Sequence, residues 1–316
     1  MSATNRLYKI TPILNERLWG KERLSELLHV HSDESRIGEA FLVSSMPEAE
    51  TQIDGMDFSE FYQKNKSELF GLTRVLFPLR VNLIDSKEAL SIQVHPDGKL
   101  AEAWGYPQGV VEAWLVLESD PTSKIEVGHT ASTTSELKQR IEEGDWNQLL
   151  NYQDARPDDF ILLPPGTIHA IGENILIYEL TYNLDITYRV YDYDRVSQIT
   201  GKKRELHLTE ALSVIQTPQI IAQPIPNIKH HNGYTETVYI DQEEIFTLIK
   251  WEIDKECILS LDHFSLCTVI KGQGSIQDQP VHQFETWFIP NDTGKVSVTG
   301  KMTLLSASYR EKKGNL

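Results

Sequence analysis

Gln93 and His95 stand two apart in ALSIQVHP, whose apolar texture predicts a strand. Alternation along a strand puts both side chains, and that of Ser91, on one face. Three polar groups on one strand face are costly in a core unless each finds a partner. Glu112 lies inside a second apolar strand, VVEAWLVL, and His169 follows the turn PPGTIH. A lone carboxylate in such a strand is either an edge charge or the ligand of a cation. A lone histidine is more often a hydrogen-bonded core residue. Four N and O donors from three strands fit a divalent metal better than four separate accidents. Zn²⁺ takes this set readily and keeps a position open for a substrate. Fe²⁺ and Mn²⁺ take it too, so spacing leaves the metal's identity open.

A second polar constellation follows in NILIYELTYNLDITYRVYDYDR, with Glu179, Asp185, Arg189, Asp192, Asp194 and Arg195. An arginine in a β-rich pocket can bind phosphate or stabilise an oxyanion. Asp192 and Asp194 read as members of a surface network with neighbouring arginines. Lys202 and Lys203, in a Gly-Lys-Lys turn, read as solvated charges beside Arg204. His29, His31, His129, His230, His231, His263 and His282 lack comparable partners and read as surface or structural, and Trp104, Trp114, Trp146 and Trp287 as core.

The elements that must position these residues are mostly strands. Helical spacing appears in 20–29, in 57–72 and, most clearly, in 133–150, where Thr133 and Glu136 form a capping box. A further short helix is expected over 208–216. The proline-containing stretch 217–229 reads as a linker. Beyond it, short strands separated by turn signals predict a sandwich or barrel, with the outline of a small jelly roll. No histidine follows Phe288-Ile289-Pro290, so this second unit is expected to hold no metal. The expected division is a metal-binding domain over 1–222 and a β-domain over 230–316.

A chain of 316 residues is long enough for about two such units. A net charge of −16 argues against a broad nucleic-acid-binding face. No apolar run spans a membrane and the N-terminus shows no secretory h-region, so a cytoplasmic location is expected. Only Cys257 and Cys267 occur, which suits free thiols in a reducing compartment. Monomer and homodimer both stay open.

Taken together, RLWG, IGEAF, ALSIQVHPD, EAWLVL, PPGTIHAIG, TYRVYDYDR and RELHL resemble, in order, the short bacterial form of type I mannose-6-phosphate isomerase. The resemblance covers most of the chain and is weakest in the last 90 residues. It implies a mainly β fold of two cupin (double-stranded β-helix) barrels with a helical insertion that includes 133–150. It implies a zinc ion on Gln93, His95, Glu112 and His169. It further implies Arg189 and Glu179 as catalytic groups, and Ser91 and Arg195 as contacts to a phosphosugar substrate. The implied reaction interconverts mannose 6-phosphate and fructose 6-phosphate through an enediol. Three positions depart from the family's pattern. Val110 stands where a lysine is usual, Leu184 falls in a run that is usually polar, and Gly98 replaces an aspartate. These departures touch the substrate pocket rather than the metal. They keep two rival readings in view: a paralogue acting on another phosphosugar, and a sugar-sensing metal cupin without turnover.

Overall fold

The computed structural model describes residues 6–32, 34, 36–102, 109–196 and 201–312. Trp104 lies outside them. Two antiparallel sheets form the part that carries the site. One runs, in order, Phe160–Leu163, Glu112–Ser119, Ile175–Tyr182, Leu79–Asp85, Ile37–Val43 and Ile13–Glu16. The other runs Leu150–Asp154, Lys124–His129, His169–Ile171, Ile92–Val94 and Tyr188–Tyr191. Their inner faces share one apolar core. Ile84, Trp114, Val116, Ile161 and Ile177 from the first sheet pack with Ile125, Val127 and Ile171 from the second and with Leu90, which precedes the strand Ile92–Val94. Burial of such side chains stabilises by roughly 1.5–3 kcal/mol each. It also fixes register, because a one-residue slip would turn every inward residue outward.

Two sequence motifs meet at this sandwich's edge. A Cβ on Gly20 would lie 2.4 Å from the backbone nitrogen of Gly38, and one on Gly38 would lie 2.6 Å from Gly20 Cα. The RLWG and IGEAF segments therefore need glycine for backbone to touch backbone. The turn in PPGTIH has a similar requirement. Gly166 has φ +74° and sits where a Cβ would meet Val214 O at 2.5 Å.

The helices are shorter than their periodic patterns suggest. The 20–29 segment gives only Leu24–Leu27, and 57–72 gives Phe58–Asn65. The 133–150 pattern divides into Thr134–Glu143 and Trp146–Leu149, because Gly144 adopts a left-handed C-cap. Thr133 Oγ1 accepts from Glu136 N at 3.2 Å, while Glu136 Oε2 accepts from Ser132 N at 2.9 Å, one residue before the expected partner. Leu208–Val214 forms the last helix.

The C-terminal strands join an eleven-stranded sheet built around the long Gly294–Ser308 and Ser265–Ile276 pair. The end of the expected linker, from Asn227, belongs to its edge strand Asn227–His231. The sheet also recruits the chain's beginning: Tyr8–Thr11 pairs with Thr286–Ile289. An aromatic cluster that includes Tyr8, Phe61, Phe70 and Phe288 seals that junction. Cys257 and Cys267 are both free and buried. No helix among the described residues is long and apolar enough to cross a membrane.

Candidate metal centre

Both sheets contribute to one cluster. Gln93 and His169 are direct cross-strand partners in the five-stranded sheet. His95 follows one residue after the strand Ile92–Val94, and Glu112 opens Glu112–Ser119 in the opposing sheet. The donor atoms of His95, Glu112 and His169 lie within 4.8 Å of one another, and all three residues are buried. His95 Nε2 is 3.0 Å from Glu112 Oε1, and His169 Nε2 is 3.5 Å from Glu112 Oε2. Yet His95 Nε2 and Glu112 Oε2 make no hydrogen bond. Close, buried donors that do not bond one another are what a shared cation requires.

The outer nitrogens prepare the inner ones. His95 Nδ1 is 2.8 Å from Ile186 O, and His169 Nδ1 is 2.9 Å from Thr167 O. Each ring donates Nδ1–H to a carbonyl and turns an Nε2 lone pair inward. Gln93 Nε2 lies 3.4 Å from His169 Nε2, and Ser91 Oγ lies 3.3 Å from Gln93 Oε1. The amide turned over on the same footprint offers Oε1 to the cluster and Nε2 to Ser91. Burial holds His169 neutral, at about 4. Burial also opposes charge on His95, but Glu112 outweighs it and raises His95. Glu112 itself is drawn down by His95 despite its burial. The carboxylate thus attracts one positive charge to this spot, as a proton on His95 or as a cation among all four residues.

A cavity of about 520 Å³ opens beside the cluster. Glu179 lines it, fixed at both oxygens: Asn82 Nδ2 donates to Oε1 at 2.7 Å and Trp114 Nε1 to Oε2 at 2.8 Å. Burial and the neighbouring Glu112 push Glu179 up to about 8. Trp114 also sets its ring edge-to-face on His169, with centroids 5.3 Å apart. It belongs to the core and ties the acid to a candidate ligand as well.

Arg189 lines the cavity on the strand beside Gln93. Its Nη1 donates to Glu205 O at 3.0 Å, and its buried Nε has no partner. Ser91 lines the cavity too. Arg195 is placed differently. Its guanidinium donates to Ala89 O at 2.6 Å and to Asp192 Oδ1 at 2.5 Å, and it is not among the lining residues. Arg204, on the same Asp192, does line the cavity. Asp192 corrects the surface reading: it is 4% exposed and bridges two arginines. Asp194 is an exposed partner of Lys203. His129 is structural, with Nε2 2.9 Å from Gln216 O.

The sequence reading passed over Arg80 and Asn82. The signal was present: Arg80, Asn82 and Ile84 alternate through PLRVNLID and share the inner face. Val110, where the family has a lysine, is buried in the apolar core and does not line the cavity. Leu184 packs against that same core.

Known proteins resemble this chain in sequence and fold. The sequence model described as "Mannose-6-phosphate isomerase, cupin domain" matches residues 235–309, inside the stretch where the motifs are sparsest. Mannose-6-phosphate isomerase ManA of Bacillus subtilis is 32% identical over 92% of this chain and 94% of its own. The crystal structure of mannose 6-phosphate isomerase from Bacillus subtilis superposes with a TM-score of 0.90 at 30% identity, covering 95% of this chain and 99% of that one. A structure titled as zinc-bound mannose 6-phosphate isomerase shares the fold, with a TM-score of 0.76 at 14% identity over 96% of this chain and 99% of its own. With this likeness over nearly its whole length, the chain belongs to the mannose-6-phosphate isomerase family.

Proposed function

We propose that this chain interconverts mannose 6-phosphate and fructose 6-phosphate through an enediol, with a zinc ion on Gln93, His95, Glu112 and His169. One observation carries the metal: the buried, unbonded His95 Nε2 and Glu112 Oε2 converge with His169 on one point at the cavity wall. The zinc-bound relative supports the choice of ion. When bound, zinc supplies Lewis-acid polarisation of the sugar's carbonyl and hydroxyl oxygens.

The chain's own residues handle the proton. Glu179 takes it from C2 of mannose 6-phosphate. The C–H electrons become the C1–C2 double bond, and the carbonyl electrons move onto O1. Return of the proton to C1, with the O2 proton passing to O1 as C2=O forms, leaves fructose 6-phosphate. Asn82 and Trp114 donate to both Glu179 oxygens and thereby favour the anion that can accept. Burial keeps its proton affinity high enough to hold what it takes. The unpartnered Nε of Arg189 suits a charged sugar oxygen in this enclosed space. Ser91 is placed to contact the substrate beside the ligands. Arg195, which shares Asp192 with the lining residue Arg204, would contact the substrate's phosphate.

A coupled assay for fructose 6-phosphate formation tests this, run beside metal analysis. The expected result is turnover lost on chelation and restored by zinc. Undiminished turnover in thoroughly metal-free protein, or no turnover with the metal fully bound, would overturn it.

A further inference from the structure

Arg80, like Arg189, differs from the cavity's arginines Arg17 and Arg204 in having no carboxylate among the described residues to hold it. Arg17 is held by Glu39 at 2.6 Å, and Arg204 by Asp192 at 2.5 Å. Arg80 is 7% exposed, lines the cavity, and forms no ion pair within 4 Å among the described residues. Its Nη1 lies 3.1 Å from the thioether of Met46, and its guanidinium stands 5.2 Å from the Phe41 ring centroid. Its buried Nε has no partner at all. A thioether and a ring face return little of what it costs to bury a cation. An anion that comes and goes would balance that charge.

Register shows where such an anion would sit. Arg80 faces Thr181 across the sheet, and Thr181 faces Glu112. The next row on the same face is Asn82, Glu179 and Trp114. Arg80 therefore shares a sheet face with a candidate metal ligand and with the proton-transfer group. Its field reaches both, stabilising the anions of Glu112 and Glu179. The charge that develops in this row during isomerisation is the one on the sugar's oxygen as Glu179 removes the C–H proton.

We propose that Arg80 is a catalytic residue whose guanidinium stabilises the enediolate oxygen beside Glu179, an inference that rests on the isomerase reading above. The proton leaves carbon for Glu179, the electron pair settles on oxygen opposite Arg80, and both are returned when the second carbon is protonated. Nothing is consumed.

The test compares Arg80→Met and Arg80→Lys with the parent. For Arg80→Met the expected result is a kcat about 100-fold lower or less still, with KM within a few-fold, as for loss of one donor to a developing oxyanion. Zinc content is expected to be unchanged, and Tm equal or higher, since an unbalanced buried charge is gone. Arg80→Lys is expected to recover part of kcat. Parental kcat in Arg80→Met overturns the proposal. A raised KM with intact kcat overturns it too, by assigning Arg80 to the phosphate. Equal losses in both variants with a Tm several degrees lower would make the role structural and likewise overturn it. An inactive parent would instead sink the isomerase reading itself, so the two failures are distinguishable.

Discussion

The two β-rich parts of the chain treat buried polar groups in opposite ways. In the C-terminal sheet most are satisfied, Gln277 Oε1 being an exception among the described residues. Thr268 and Thr286 hydroxyls meet at 2.9 Å, and those of Ser265 and Ser306 at 2.5 Å. Lys250, mid-strand and buried, has Asp158 at 2.8 Å. In the N-terminal sandwich, His95 Nε2, Glu112 Oε2, Asn82 Oδ1, Arg80 Nε and Arg189 Nε are all buried without a bond. Each unmet group costs about 1–3 kcal/mol. A fold keeps several together only where something else meets them. The contrast locates the candidate site: one part is largely finished by folding, while the other keeps unmet groups that the proposed metal and substrate would meet.

The largest effect should follow from breaking the cluster itself. Glu112→Gln is expected to lose zinc and to lower turnover by about 1000-fold or more, since Lewis-acid stabilisation is worth several kcal/mol and each 1.36 kcal/mol is tenfold. Ser306→Ala, in the self-satisfied part, should leave zinc content and turnover unchanged. Metal analysis beside the isomerase assay checks both. Zinc retained at parental affinity in Glu112→Gln would remove Glu112 from the ligand set.

Next in size is the support of Glu179. Asn82→Leu removes one of the two donors that fix the carboxylate. A drop in kcat of about 10- to 100-fold is expected, less than the roughly 100- to 10,000-fold a positioned base contributes, because Trp114 still holds the carboxylate. Zinc content and KM should hold, because Asn82 does not itself line the cavity and acts only through Glu179. Asn82→Asp, which sets two carboxylates together, should be worse than leucine. A leucine variant with parental kcat would show that Trp114 alone suffices.

These residues mark the limit of what the sequence disclosed. Gln93, His95, Glu112 and His169 were legible because histidine and glutamate are conspicuous in apolar strands. Their convergence was not, since it depends on two sheets closing face to face. Asn82 and Arg80 escaped notice because a lone amide or arginine in a strand is ordinary. Only their register against Glu179 and Thr181 makes them neighbours of the chemistry. Arg195 shows the converse. The resemblance expects it at the substrate, and in the fold it also holds Asp192 and the carbonyl of Ala89. The 133–150 helix was visible from periodicity and capping, though Gly144 ends it sooner than the apolar spacing suggests.

Glu126 sharpens the comparison from a different side. It is buried on Lys124–His129 with Oε2 unpartnered, yet it does not line the cavity. Burial pushes its carboxyl up to about 7. The folded protein therefore keeps Glu126 protonated while the unfolded chain ionises in the ordinary carboxylate range. Stability contributed by the neutral form is fully present below that range and falls as pH rises towards 7. Glu126→Gln removes the dependence. Its stability advantage over the parent should be near zero in acid, grow between the two values, and level off above 7 at roughly 3 kcal/mol. Denaturant melts at several pH values measure this. A pH-independent difference would mean that Glu126 has found a partner when ionised.

The smallest effect tests the satisfied part on its own terms. Thr268 and Thr286 are cross-strand partners, and both are buried. Thr268→Val leaves the Thr286 hydroxyl without its partner, and Thr286→Val does the reverse, so each should cost about 1–2 kcal/mol. With both changed, neither hydroxyl is stranded, and the double variant should cost about 1 kcal/mol less than the sum of the singles. Additive losses would mean that the two hydroxyls do not depend on each other, and the C-terminal sheet would no longer count as closed upon itself. In the sandwich, the same logic runs through a ligand. There the cost of an unpaired group should shrink when zinc and sugar are bound, whereas the Thr268–Thr286 coupling should be the same with and without them.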